Sequence, residues 1–189
     1  GQAHPQLNAS DTILAELKKL GHNIIPSYPA LSPIITTKIN SKLLNGVRVD
    51  VATSLLNKQH VIATTYGNVI FTEWGLNGTG VMNISNYITK NPGQKVLKID
   101  VIQKNVADNL YALIEKFRNQ SITLEHVLLP LLPQKLIDQI IINTKIDSKI
   151  QLNQVSDEFI NKFFSNISIE EKILGTRGFE FSQLSTGAV

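Results

Sequence analysis

The sequence contains no cysteine among its 189 residues. This absence excludes a disulfide framework, a thiolate nucleophile and a cysteine-ligated metal site. It suits a reducing compartment without requiring one, and we expect a cytoplasmic protein. Charged residues make up 17% and apolar residues 42% of the chain, the balance of an ordinary globular protein with a buried core.

Long apolar runs and clustered charge are missing as well. No segment approaches the roughly 18 apolar residues that a membrane-spanning helix needs, and residues 1–8 do not resemble a signal peptide. The net charge of +3 is scattered, with no three Lys or Arg in a row. Because binding to phosphates needs a clustered basic surface, we expect neither a nucleic acid nor a membrane as partner.

Known catalytic and metal-binding patterns are absent too. The four histidines, at positions 4, 22, 60 and 126, have no second ligand at metal-binding spacing, so we expect no metal site. No Ser lies in a Gly-x-Ser-x-Gly motif, and no Ser, His and Asp set is suggested. The catalytic residues therefore stay unknown at this level.

The hydrophobic periodicity predicts strands, then helices, then strands again. A first helix is expected from an N-cap at Ser10 to Gly21, followed by an extended, proline-rich connector over 24–33. Alternating patterns predict strands over 47–52, 60–66, 69–71, 95–102, 167–174 and 179–184, with turns at 45–46, 67–68 and 91–93. Residues 105–165 repeat apolar side chains at helical spacing, which predicts three or four helices.

These elements predict an α+β fold, a small antiparallel β-barrel-like unit that carries an inserted helical subdomain. The predicted boundaries are 1–104 for the N-terminal helix and barrel-like part, 105–165 for the helical subdomain and 166–189 for the returning strands.

Residues 71–85, FTEWGLNGTGVMNIS, form the most informative segment. The pattern predicts a strand that ends at Phe71, a glycine-rich turn and a helix from about Thr79. Glycines let a backbone approach a ligand closely, and the free N–H groups of a helix start favour an anion or a polarised carbonyl. The alternative is a tight strand–helix turn in which Trp74 fills the core. The spacing is neither a P-loop nor Gly-x-Gly-x-x-Gly, so the chain alone is not expected to bind a dinucleotide.

Two charged residues add to this segment. Arg177 lies in the predicted turn 175–178 and suits bidentate pairing with a carboxylate or phosphate, although a solvated turn residue fits equally well. Glu73 is a candidate acid or base, with a surface carboxylate as the simpler interpretation.

Five segments resemble one family in the same order along the chain. They are 20–33 (LGHNIIPSYPALSP), 67–85 (GNVIFTEWGLNGTGVMNIS), 97–100 (LKID), 128–136 (LLPLLPQKL) and 175–189, with GTRGF at its start and STGAV at its end. The family is that of the BaiN-like, or aminoacetone-oxidase-like, bacterial NAD(P)/FAD-dependent flavoprotein oxidoreductases. Asn77 and Thr79 stand where Ser and Pro are usual, and Ala188 where a second Gly is usual.

The resemblance implies a substrate-side domain inserted into an FAD-binding Rossmann-like domain of the same polypeptide. Such a domain would cover the flavin and shape the pocket of a small-molecule substrate, with FAD held mainly by the flanking domain and NAD(P)H as reductant. The positions implied to face the flavin or substrate are Thr72, Glu73, Trp74, Gly75, Asn77, Gly78, Thr79, Gly80 and Arg177. Those implied to contact the cofactor are Ser185, Thr186 and Gly187. The isolated chain is expected to be inactive and colourless.

Three other functions fit the residues. The chain could be a stand-alone module that binds a small anion at the 75–80 turn, a nucleic-acid-associated domain, or a structural domain that interacts through its helices. Saturable anion binding, salt-sensitive binding to duplex DNA and concentration-dependent dimerisation would distinguish them.

Overall fold

The structure is a computed structural model that describes residues 1–37, 41–90, 93–102, 104–187 and 189. Its strands are β1 (Tyr28–Ala30), β2 (Ile34–Thr36), β3 (Arg48–Asn57), β4 (His60–Thr72), β5 (Gly75–Asn77), β6 (Lys95–Asp100), β7 (Ile169–Thr176) and β8 (Leu184–Thr186). Its α-helices are α1 (Thr12–Lys19), α2 (Ser41–Leu44), α3 (Thr79–Met82), α4 (Ser85–Lys90), α5 (Lys104–Phe117), α6 (Leu124–Leu128), α7 (Gln134–Thr144) and α8 (Asp157–Ser165).

Six strands close into an antiparallel barrel in the order β2-β5-β4-β3-β6-β7, with β7 pairing back onto β2. The longest ladder joins β3 to β4, from Arg48 opposite Ile70 to Asn57 opposite His60. Closure leaves the six strands without a free edge. The predicted α+β class, a small antiparallel barrel with helices, is confirmed.

Alternation along the strands fills the barrel. Val51 and Leu55 on β3, Phe71 on β4, and Leu97 and Ile99 on β6 are all buried. The intervening residues of these strands point outward, as the two-residue period of a strand requires. This inward set is continuous with the apolar residues of α2 and α3, so the short helices extend the barrel core.

The helices α5 to α8 follow β6 and precede β7. Leu110 and Ile114 of α5, Leu128 of α6, Ile137 of α7 and Phe163 of α8 are buried and belong to the same apolar core as the barrel. The hydroxyls of two N-cap residues, Thr123 and Ser156, accept backbone N–H groups of α6 and α8. The predicted boundaries at 104/105 and 165/166 stay a prediction.

The terminal segments meet. Strand β1 pairs antiparallel with β8, which places Tyr28 opposite Thr186 and Pro29 opposite Ser185. The backbone N–H of His4 donates to the carbonyl of Phe179 at 3.0 Å. Helix α1 buries none of its residues.

Three local predictions are wrong. Gly67 and Asn68 make no turn, because β4 runs through them, and Gly67 instead leaves room for Thr79 Oγ1, which would lie 2.7 Å from a Cβ at that position. Residues 179–184 do not form a strand: a 3-10 helix spans Phe179–Phe181 after Gly178 adopts a φ of 70°, and β8 begins only at Leu184. The N-cap of α1 is Asp11 rather than Ser10. Of the predicted turn 91–93, residues 91 and 92 lie outside the described residues, as does Ala188.

Candidate functional site

Trp74 lies in the tight connection between β4 and β5. Thr72 and Gly75 pair across this connection, and the Thr72 hydroxyl donates to the Gly75 carbonyl at 2.8 Å. The Trp74 carbonyl accepts the backbone N–H of Thr36 at 3.3 Å, which ties the connection to β2. The indole is half-buried beside the barrel, whereas neighbouring Glu73 is exposed. Trp74 is therefore held at the barrel surface and does not fill the barrel core.

Arg177 reaches the same place from the end of β7. Its backbone N–H donates to the Pro33 carbonyl at 2.9 Å. Its guanidinium carbon lies 4.6 Å from the centroid of the Trp74 ring and 3.3 Å from the centroid of the Phe181 ring. The planar cation thus contacts two aromatic faces, an arrangement worth about 0.5–1 kcal/mol per ring where solvent has access. We call these three side chains the Trp74–Arg177–Phe181 cluster.

The guanidinium of Arg177 has no carboxylate partner among the described residues. Arg177 is half-buried, and within the described ranges no Asp or Glu forms an ion pair with it. Aromatic contacts occupy the faces of a guanidinium and leave the N–H groups at its edge free to donate. The cluster therefore suits a carboxylate, a phosphate or a polarised carbonyl placed beside Arg177. Phe181 is not identified from the sequence, because its segment, residues 179–184, is predicted to be a strand.

The packing of β5 and α3 against neighbouring barrel strands requires the glycines of residues 75–80. At Gly78, the N-cap of α3, φ is 96° and a Cβ would overlap the carbonyl of Asn68. A Cβ at Gly80 would lie 2.7 Å from the carbonyl of Gly67, and one at Gly75 would overlap the carbonyl of Ile34. These glycines let α3 and β5 approach the neighbouring strands, as the strand–helix interpretation requires.

Polar groups of this turn are engaged internally. The backbone N–H of Gly78 donates to Asn77 Oδ1 at 2.8 Å, and Thr79 Oγ1 accepts the backbone N–H of Asn68 at 3.2 Å. The hydroxyl of Thr53 donates to the Gly80 carbonyl. Of the implied flavin- or substrate-facing positions, the structure therefore brings Trp74 and Arg177 together and leaves Asn77, Gly78 and Thr79 with structural partners.

Ser185, Thr186 and Gly187 lie on and just beyond β8. The Thr186 hydroxyl donates to the Tyr28 carbonyl at 3.3 Å. Gly187 has a φ of 95°, and a Cβ there would lie 2.7 Å from the carbonyl of Pro26. Strand β8 begins at Leu184, shortly after the 3-10 helix that carries Phe181.

A cleft of about 920 Å³ lies elsewhere, between the outer wall of the barrel and the helices α5 and α8. Its lining residues are Ala52, Tyr66, Lys98, Asp100, Ile102, Ala107, Asp108, Tyr111, Phe164, Ser165, Ile167 and Ser168. None of them belongs to the Trp74–Arg177–Phe181 cluster. Sequence reasoning misses this cleft because five separate elements or their flanks contribute its walls.

Among the described residues, Arg118 has a displaced pKa and lies outside both places. A hydrogen bond to Asp157 raises the pKa of Arg118 above its usual value, and the charge of Glu115 acts in the same direction. Arg118 Nη2 lies 2.6 Å from Asp157 Oδ1 and 2.8 Å from Glu115 Oε1. The half-buried Arg118, which follows α5, thereby links the end of α5 to Asp157, the first residue of α8.

The described part of the chain has neither a cluster of metal ligands nor a membrane-spanning helix. No three His, Asp or Glu side chains there are placed to hold a metal ion. No helix among the same residues is long and apolar enough to cross a membrane.

Comparison with known proteins gives two findings. A family model described as "HI0933-like protein barrel and H2TH domain" matches residues 28–183. A 3-dehydro-bile acid delta(4,6)-reductase of Clostridium scindens is 23% identical over 199 aligned residues, which cover 100% of this chain and 48% of the reductase. The chain thus spans about half the length of this curated relative. The family resemblance inferred from the five segments is confirmed.

Proposed function

Because the chain belongs to the family of HI0933-like barrel and H2TH domains, we propose that it is the inserted domain of an FAD-dependent, NAD(P)H-linked oxidoreductase. In this role it covers the flavin and shapes the pocket of a small-molecule substrate. FAD is held mainly by a flanking Rossmann-like domain of the same polypeptide, and NAD(P)H serves as reductant. The proposal includes a cytoplasmic location, with which the absence of cysteine is compatible.

One observation carries this proposal: the cluster lies where the two terminal segments meet. Phe181 ends a 3-10 helix whose first residue, Phe179, accepts a hydrogen bond from the backbone of His4. Strand β8 then runs beside β1. A domain inserted into another must leave and rejoin its host through neighbouring segments, so the cluster would lie against the host domain.

The surface around this junction supports the proposal. In the segment that precedes β1, Leu7 is exposed at 75%, Ile13 at 62% and Leu20 at 77% of full accessibility. Leu184 of β8 is exposed as well. Exposed apolar side chains that form a patch mark contact surfaces on soluble domains, so the two terminal segments are candidates for such a surface. In the proposed enzyme, this region packs against the FAD-binding domain.

The residues of the junction fit a role beside FAD but not the binding of FAD by this chain alone. Arg177 offers a cation without an acidic partner among the described residues, which suits an anionic or carbonyl group. The dinucleotide fingerprint is absent from the sequence. When bound, FAD supplies the hydride chemistry. Arg177 would orient the substrate, Trp74 would provide an apolar wall, and Ser185, Thr186 and Gly187 would line the approach to the cofactor.

The test uses the longer polypeptide that contains the flanking FAD domain. Arg177→Ala is expected to lower kcat/KM about tenfold or more, because a hydrogen bond from a charged group is lost. Trp74→Ala is expected to raise KM by removing the apolar wall. Arg48→Ala, an exposed change on β3, is the matched control and is expected to keep wild-type kinetics.

Unchanged kinetics in both cluster variants, with flavin absorbance retained, would show that the cluster does not face the reaction. A native polypeptide that ends at the bounds of this chain would refute the insertion itself. Mass spectrometry of peptides flanking residues 1–189 in the source cell measures those bounds.

A stand-alone anion-binding module is the second candidate, favoured by the same unpaired guanidinium among the described residues. Saturable binding of phosphate or acetate by this chain alone would support it. Trp74, the single tryptophan, lies beside Arg177 and provides the fluorescence signal.

A further inference from the structure

The cleft between the barrel and the helices has two walls, one formed by barrel strands and the other by helices. On the barrel wall, Ala52 of β3 pairs with Tyr66 of β4 on one side and with Asp100 of β6 on the other. The three side chains therefore lie side by side across three strands, with the smallest in the middle. The helical wall carries Tyr111 of α5 and Phe164 of α8. Because Ala52 adds so little bulk, the barrel wall is a trough and not a ridge.

Aromatic rings line the cleft from both walls. Tyr66 is 58% and Tyr111 is 42% exposed, so both present ring surface to the open space. The Phe164 ring lies 6.4 Å from that of Tyr111, and its other neighbour is the buried Phe163, at 5.5 Å and edge-on. The contact with Phe163 thus fixes the position of the Phe164 ring. Opposed rings of this kind suit a flat ligand that stacks on them.

The charges of the described residues around the rings are mainly negative. Lys98 pairs with Asp100 at 3.3 Å on the barrel wall. Asp108 lines the helical wall, is exposed, and forms no ion pair within the described ranges. Among the described residues that line the cleft, two carboxylates and one ammonium leave a net negative charge. Carboxylates accept hydrogen bonds and repel anions, so this chemistry favours a ligand with N–H or O–H donors and disfavours phosphate or carboxylate groups.

We propose that this cleft is a binding site for a flat ring compound that carries hydrogen-bond donors and no negative charge. The volume of about 920 Å³ lies within the range of roughly 300–1,000 Å³ that small-molecule sites occupy. The site is separate from the Trp74–Arg177–Phe181 cluster, which offers a cation and suits the opposite ligand charge. It requires neither flavin nor a flanking domain.

Titration calorimetry on the 189-residue chain tests the proposal with a matched pair of probes. Adenosine has a flat ring, an amino group and a ribose diol, and adenosine 5′-monophosphate adds only a negative phosphate. Adenosine is expected to bind, and the monophosphate roughly threefold more weakly at low ionic strength, because of the carboxylates. Asp108→Lys is expected to reverse this preference.

Variants of the walls locate the binding. Tyr66→Ala and Tyr111→Ala are each expected to weaken adenosine binding between about fivefold and about a hundredfold, the range for loss of a stacking ring. Ala52→Phe is expected to abolish binding by filling the trough while leaving every charge in place. Tyr87→Ala removes an exposed tyrosine outside the cleft and serves as the control.

The outcomes are decisive in both directions. No heat of adenosine binding at millimolar concentration, or binding that survives Tyr66→Ala, Tyr111→Ala and Ala52→Phe in chains that melt like the parent, overturns the proposal. Equal affinity for both probes overturns the charge argument. Because the measurement uses no flavin and no turnover, its failure leaves the proposed oxidoreductase role standing, and the reverse also holds.

Discussion

Replacing Gly78 with alanine tests whether the glycine-rich turn is required by the barrel. Gly78 has φ 96° and ψ 164°, a conformation that L side chains rarely adopt. The added Cβ would overlap the carbonyl oxygen of Asn68 and lie 3.0 Å from its carbonyl carbon. Asn68 cannot move aside easily, because it pairs with Asp50 in the β3–β4 ladder.

The expected cost follows from these two contributions. A strained backbone conformation costs about 1–3 kcal/mol, and inserting an atom into a packed contact costs about 1–3 kcal/mol more. We therefore expect Gly78→Ala to lower the free energy of unfolding by about 2–6 kcal/mol. Most domains have a total of only about 5–15 kcal/mol, so the variant should be only marginally folded.

Urea denaturation followed by far-ultraviolet circular dichroism measures the effect without any ligand. Two control glycines separate the contributions. Gly46 has φ 83°, and a Cβ added there would meet nothing within 4 Å, so Gly46→Ala should lose only about 1–2 kcal/mol from backbone conformation. Gly175 has neither a positive φ nor a close neighbour, and Gly175→Ala should change stability by less than about 1 kcal/mol. If Gly78→Ala were no less stable than Gly46→Ala, the packing argument would be refuted.

Three further changes have defined outcomes. Phe163→Ala empties a buried position in α8 and should cost about 3–5 kcal/mol in the same urea assay; a loss below about 1 kcal/mol would show that α8 is not anchored there. Ser156→Ala removes the N-cap that accepts the Phe159 N–H at 3.1 Å and should cost about 1 kcal/mol, whereas Ser156→Asp should retain most of the stability. Arg177→Ala should alter the emission of Trp74, whose ring it covers, and should cost about 1–2 kcal/mol through loss of the two ring contacts. An identical spectrum would mean that the two side chains do not meet in solution.

Much of the barrel can be predicted from residue alternation. The patterns around Val51 and Leu97 identify inward-facing strands because one face of a closed barrel is uniformly buried. Gly67 shows where such reasoning fails. In the sequence this glycine suggests a turn, but it is needed because α3 crosses over β4 at that point. A close approach between elements depends on tertiary packing, which no local window contains.

The cluster shows a second limit of the sequence. Trp74 and Arg177 stand out separately along the chain, and only barrel closure, with β2 between β5 and β7, brings their side chains into contact. The cleft cannot be predicted from the sequence at all, because Tyr66, Asp108 and Tyr111 look like ordinary surface residues within their own elements. Their relation depends on how α5 lies over the barrel wall, and hydrophobic periodicity predicts elements rather than their placement.

The pairing of β1 with β8 also has a mechanical consequence. The two strands are antiparallel, so the chain reaches the barrel along one and leaves along the other. Force that separates Ser27 from Gly187 loads the ladder from one end and opens its hydrogen bonds in succession, a geometry that yields at low force. The barrel, whose six strands close on one another, bears none of that load until the three-residue ladder has opened. When the chain is stretched between these two residues, the β1–β8 ladder would open first and the barrel would stay folded.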